Sequence, residues 1–196
     1  MARLAACERK TLETYVKVEL NLDGSGLSEV KTGYPFFDHM LETLSKHSLI
    51  DLKLSAESLK TPNIHHVVED VALTVGEALD KALGDRRGIV RFGFAIIPMD
   101  DALAEVSLDV SGRPYLHVEG RFNGFTEGLD FNLVKHFLRS LAQSSRLTIH
   151  VPRIYGEDAH HVFEALFKAL AVALREACRI AANGRNNVPS TKGVLT

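Results

Sequence analysis

With 196 residues, 45% of them hydrophobic, the chain is long enough for one sizeable core or two small ones built to a common plan, and disorder is not expected. Its 23 basic and 25 acidic residues leave a formal charge of −2, which argues against a broadly basic binder of nucleic acid or acidic membrane and makes any anion site a local one. Cys7 and Cys178 are too few for a disulfide framework and no segment has signal-peptide or membrane-spanning length, so the expectation is a cytoplasmic protein with no membrane or nucleic-acid partner.

Residues 14–22 alternate, with Val16, Val18, Leu20 and Leu22 on one side and Tyr15, Lys17, Glu19 and Asn21 on the other, the pattern of a half-buried strand. Asp23-Gly24-Ser25-Gly26 is turn chemistry, so residues 27–31 are expected to return as the second strand of a hairpin. After the break at 33–35, Phe36, Phe37, Met40, Leu41 and Leu44 recur at helical spacing and leave Asp38, His39, Glu42 and Lys46 off the apolar stripe. A short strand over 50–54 and a long amphipathic helix over 64–83, stopped by Gly84, complete a first half that reads ββαβα.

The second half repeats this order with one extra strand: strands over 91–97, 102–110 and 115–119, a helix over 129–144, a strand over 147–154 and a helix over 159–183. Val18-Glu19-Leu20-Asn21-Leu22-Asp23-Gly24-Ser25-Gly26 is echoed by Ala104-Glu105-Val106-Ser107-Leu108-Asp109-Val110-Ser111-Gly112, and His39 in the first short helix by His136 in the second. The expectation is an α+β fold made of two α/β sandwiches, an internal duplication over 1–90 and 91–196, packed back to back around their helices as one compact unit.

The strongest signal is a motif that occurs twice. His65-His66-Val67-Val68-Glu69-Asp70 returns almost half the chain later as His160-His161-Val162-Phe163-Glu164-Ala165, each at a helix start, with Asn63 and Asp158 as candidate N-caps. On a helix, i and i+4 share a face while i+1 is turned by about 100°. His65 with Glu69, and His160 with Glu164, can therefore each grip one ion, while His66 and His161 point aside toward another. One copy alone reads as a solvated first turn; two copies with equal spacing read as ligands for a divalent transition metal. If each ion takes a pair from one half, the offset histidine of the other and one of His39 and His136, it receives three imidazoles and a carboxylate, with two positions of an octahedral shell open. Sequence leaves open whether the halves meet within one subunit or between two.

Taken with Arg9-Lys10-Thr11-Leu12-Glu13-Thr14, Phe36-Phe37-Asp38-His39-Met40-Leu41, Gly112-Arg113-Pro114-Tyr115 and Pro189-Ser190-Thr191-Lys192-Gly193, the two motifs make the chain resemble the imidazoleglycerol-phosphate dehydratases of histidine biosynthesis, in their monofunctional form. One departure is Asp158, where the family pattern has Asn. The resemblance implies a hydro-lyase that converts D-erythro-imidazole-glycerol phosphate to imidazole-acetol phosphate. It also implies two manganese ions per site, a substrate imidazolate held between them, and a large homo-oligomer, a 24-mer in the family, with metals bridging subunits. It makes Glu13 the acid-base group, which the residues alone would leave as a solvent-facing carboxylate at a strand edge. Arg91, Arg113, Lys168, Ser190, Thr191 and Lys192 offer the forks, ammonium groups and hydroxyls that suit a phosphate dianion, the last three in a terminal flap. His47, two turns beyond His39, is expected to line the substrate pocket, whereas His117 and His150 have no counterpart and are read as ordinary. Two other readings compete: a metal-dependent phosphate-ester hydrolase, and a metal-storage oligomer that would have no use for Glu13, Arg91, Arg113 or Lys192.

Overall fold

The computed structural model describes residues 3–119, 122–182 and 187–195. Among them the chain runs β1 (Leu4–Lys10), β2 (Thr14–Asn21), β3 (Ser28–Lys31), α1 (Pro35–Ser48), β4 (Asp51–Ser58) and α2 (Ile64–Leu83), then β5 (Phe92–Met99), β6 (Ala102–Asp109), β7 (Tyr115–Val118), a small hairpin of β8 (Phe125–Thr126) and β9 (Leu129–Asp130), α3 (Phe131–Ser145), β10 (Thr148–Tyr155) and α4 (Ala159–Cys178). The two large sheets have equivalent orders, β1-β2-β4-β3 and β5-β6-β10-β7. In each, the last strand of the half pairs antiparallel with the second and parallel with the third.

This corrects three expectations. Residues 28–31 do not form a hairpin with β2. The Asp51 carboxylate accepts the N–H groups of Ser25 and Leu27 at 2.8 and 3.0 Å, so β4 lies between β2 and β3, and β3 reaches β4 through the α1 crossover. Nor does the second half carry an extra large-sheet strand. The first has an equivalent in β1, an edge strand whose only fully buried residue is Cys7 and whose side-chain pattern therefore carries no alternation signal. The last helix ends at Cys178, because Arg179 turns to extended geometry and Ile180 bridges to Ile89; Asn183, its expected end, lies outside the described residues.

The sheets turn their apolar faces inward onto the helices, and the helices of one half lie against those of the other, α1 on α4 and α2 on α3. Phe37 of α1, Phe137 of α3 and Phe167 of α4 meet there, with ring centroids 5.8 and 5.3 Å apart along the chain of contacts. The approach of α2 to α3 requires a glycine: a Cβ on Gly76 would stand 2.0 Å from Ser144 Oγ and 2.9 Å from the Leu141 carbonyl. Burying both helix layers against each other stabilises the joined halves, since each alone would expose an apolar helical surface.

Candidate metal centre

Both HHxxE motifs open a helix. Asn63 and Asp158 accept the N–H of His65 and His160 at 2.9 and 2.8 Å, so the aspartate at 158 supplies the cap that asparagine supplies in the first copy. Because α1 packs on α4 and α2 on α3, the short-helix histidine of each half arrives at the motif of the other. His39 Nε2 and His160 Nε2 stand 3.7 and 3.5 Å from Glu164 Oε2. His136 Nε2 is 3.5 Å from Glu69 Oε1, and its ring stacks on His65 at 4.7 Å. Within each trio, one donor atom per residue lies within 4.8 Å of the others.

The donor sets suit a cation. His136 Nε2 is buried without a hydrogen-bond partner while facing a carboxylate, an arrangement that is costly unless a further group satisfies it. His160 turns Nδ1 to Glu127 Oε1 at 3.2 Å, which leaves Nε2 toward Glu164, as a ligating imidazole is commonly oriented by an outer carboxylate. At Glu164, burial, which would raise the carboxyl's pKa, is outweighed by the Lys168 ammonium at 2.8 Å and by His39 and His160, so it sits below its ordinary value.

His66 and His161 are not gathered into either trio. His66 turns Nδ1 to Glu13 Oε2 at 3.3 Å, and His161 turns Nδ1 to Asp101 Oδ1 at 2.6 Å. The Asp101 bond raises the pKa of His161. Asp101 in turn is held far below the ordinary carboxylate range by His161 and by the N–H groups of Asp158 and Glu157. Glu13 lies in the β1–β2 turn, not on a strand edge.

The cationic and hydroxyl groups divide. Arg91, Arg113, Ser190, Thr191 and Lys192 line one depression of 720 Å³. In it Arg91 grips Asp109 through two N–H groups at 2.7 and 3.0 Å and donates a third to the Pro189 carbonyl, which ties down the tail. Lys168 stands apart on α4, beside Glu164. His47 faces the same helix, where burial and then the Lys168 charge push its imidazole below the usual value. His117 and His150 sit side by side on β7 and β10, away from both trios.

Asp100, Asp101 and Glu127 went unread in the sequence. For the first two a signal existed: the offset that relates Val18 to Ala104 carries the Glu13–Thr14 turn to Met99–Asp100, so the strand echo pointed at a second acidic turn. Glu127 belongs to the small β8–β9 hairpin, which has no counterpart in the first half and no periodicity to expose it.

Comparison with known proteins bears on this arrangement. The family model for imidazoleglycerol-phosphate dehydratase matches residues 32–174. The imidazoleglycerol-phosphate dehydratase of Zymomonas mobilis is 48% identical over 196 residues, covering 100% of both chains, and that of Methanothermobacter thermautotrophicus 51% identical over 188 residues, covering 95% of each. Among solved structures, the Pyrococcus furiosus enzyme superposes with a TM-score of 0.83 at 40% identity, over 96% of this chain and 100% of that one. The Staphylococcus aureus enzyme gives 0.79 at 34% identity, over 91% and 99%. Full-length identity at this level, on the same duplicated fold, means that the chain belongs to the imidazoleglycerol-phosphate dehydratase family.

Proposed function

We propose that the chain removes water from D-erythro-imidazole-glycerol phosphate to give imidazole-acetol phosphate in histidine biosynthesis, in the cytoplasm, where its two free cysteines remain thiols. The observation that carries this reading, beyond family membership, is the presence of two separate trios of two histidines and a glutamate, each built across the two halves, one with the orphaned His136 Nε2. His39, His160 and Glu164 would hold one divalent ion and His65, Glu69 and His136 another, with manganese as the metal that the resemblance implies. Bound there, the ions supply Lewis-acid charge that acidifies the substrate's imidazole and so helps expel the neighbouring hydroxyl, in place of the activating carbonyl that this substrate lacks.

The chain's own groups account for the rest. Three protein donors leave an octahedral ion short of the four expected from sequence. His66 turns Nδ1 to Glu13, and His161 holds Nδ1 on Asp101 with Nε2 3.5 Å from Asp100 Oδ2; neither ring joins a trio of its own chain, and we assign the Nε2 atoms of both to ions of a neighbouring copy. The resulting assembly is a large homo-oligomer, the 24-mer of the family, bridged by metal. The depression around Arg91, Arg113 and Lys192 shares no residue with either trio, which supports a complete site formed between copies, with phosphate held at that depression. There Ser190 and Thr191 offer hydroxyls and Arg113 and Lys192 charge, with Arg91 organising the tail. Lys168 and His47 would orient Glu164 and the substrate from the α4 side. Glu13, with Oε2 at His66, takes the proton from the carbon next to the one that loses hydroxyl, leaving an enol that becomes the ketone.

The deciding assay incubates manganese-loaded protein with imidazole-glycerol phosphate. It should yield imidazole-acetol phosphate without inorganic phosphate. Phosphate release without dehydration would indicate the hydrolase reading, and no conversion at all would end the enzymatic one.

A further inference from the structure

α2 presents two neighbouring faces to the site. His65 and Glu69 share one; His66 and Asp70, also four residues apart, share the next, and that face looks onto the β1–β2 turn. The turn meets it with two groups. Glu13 stands at His66, and Thr14 hydrogen-bonds the Asp70 carboxylate through its hydroxyl, while Arg9 donates to the other oxygen of Asp70 at 2.5 Å. Asp70 is 7% exposed and Thr14 is 1% exposed, so the Asp70–Thr14 half of this clamp is dry, with Arg9 on its solvent side, whereas the Glu13 carboxylate, one residue from Thr14, is open to solvent. Thr11 completes the turn: its hydroxyl oxygen accepts the N–H groups of Glu13 and Thr14 at 3.1 and 3.0 Å. Every polar residue of Arg9-Lys10-Thr11-Leu12-Glu13-Thr14 except Lys10 thus either holds the turn or is the group the turn carries.

We propose that Asp70 is a positioning residue for Glu13, its carboxylate clamping Arg9 and Thr14 so that the turn presents the Glu13 carboxylate beside His66. The inference rests on the acid-base reading of Glu13 given above. Asp70 belongs to neither trio; the hydrogen-bond donors to its carboxylate, Arg9 and Thr14, both belong to the strand pair that flanks Glu13. The second half supports the assignment by contrast. Ala165 stands where Asp70 stands, and the acid facing His161 is fixed instead by its own contacts, Asp101 accepting the Asp158 N–H at 3.0 Å as well as that of Glu157. Only the turn that carries Glu13 is held from the helix by a buried charge. An exposed carboxylate on an unclamped turn would sample many positions, and misplacement by about 1 Å can cost about 100-fold in rate.

The test compares Asp70→Asn, Glu13→Gln and the double variant as manganese-loaded assemblies, reading kcat, KM, bound manganese and melting temperature. Asp70→Asn should lower kcat by about 10- to 100-fold with manganese content and KM little changed. In the Glu13→Gln background the same change should lower kcat no further, because there is no longer a carboxylate to place. A melting-temperature loss with kcat intact in the single variant, or an equal kcat loss in both backgrounds, would make Asp70 a purely structural residue and overturn the proposal. Should Asp70→Asn fail to assemble, Arg9→Gln removes the more exposed half of the clamp and must show the same dependence on Glu13. Near-parental turnover in Glu13→Gln alone would remove the underlying reading and this inference with it; slow Glu13→Gln beside fast Asp70→Asn would remove only the positioning role.

Discussion

At the scale of single residues, adjacent histidines of one motif receive different partners because a helix turns them about 100° apart. His65 stacks on His136 within a trio, while His66 faces Glu13; His160 joins Glu164 and His39, while His161 is held by Asp101. In three of these four rings Nδ1 meets a carboxylate, and in two of the three Nε2 faces a second one, Glu164 at His160 and Asp100 at His161. Glu13 is the residue whose role separates a chemical site from a mere ion store. Replacing it by Gln preserves shape and removes the carboxylate proposed as the proton acceptor. At saturating substrate and manganese, Glu13→Gln should retain its metal and lose about 10²- to 10⁴-fold in turnover, measured as product formation with metal content checked on the same sample. Unaltered turnover would return Glu13 to the status of a surface carboxylate in a turn. In sequence Glu13 had no such standing by itself, since nothing in its immediate neighbours announces that α2 will pass beside it.

At the scale of elements, the sheets show how little local pattern says about neighbours. The alternation of β2 and the 3.6-residue stripes of the long helices follow from burying one face, and α2 begins and ends at the residues expected from its cap and its glycine. β1 and β3 each bury a single hydrophobic residue fully, Cys7 and Val30, and edge strands of that kind are defined by the backbone groups they pair with. The placing of β3 depends on Asp51. Hydrogen bonds from the Leu27 and Ser25 N–H groups, and then from Asn21, hold its pKa below the ordinary carboxylate value. A folded pKa below the unfolded one means a contribution fully present above about pH 4 and lost as the pH falls through the folded value. Asp51→Asn should therefore cost about 1 kcal/mol in denaturant melts at neutral pH, and the difference from the parent should shrink in acid. A difference that persisted unchanged at pH 2 to 3 would show that charge has no part in holding this turn.

At the scale of the whole molecule, the helix layers decide which residues become a site. Each trio takes two members from one half and one from the other, so the candidate ligand groups exist only when α1 meets α4 and α2 meets α3. The same logic extends outward in the proposed assembly, where His66 and His161 complete ions of neighbouring copies. Complete removal of metal by a chelator should then lower the particle mass seen in sedimentation, with recovery on adding manganese. An unchanged assembly after verified metal removal would defeat the linkage and leave the ligand trios as sites internal to each chain.

By itself the sequence determined the type of each long element, the duplication, the two HHxxE motifs and the donor chemistry, because these depend on spacing along the chain and on which side chains bind a proton or a metal. Only the tertiary structure decided that His39 belongs with Glu164 and His136 with Glu69, that β3 lies beyond β4, and that Lys168 lies away from Arg113 and Lys192. Those facts turn on which helix faces which, and that is set by apolar surface buried between halves, with a close approach at Gly76, among residues far apart in the chain. A periodic pattern tells a helix which side to bury; it does not tell it against what.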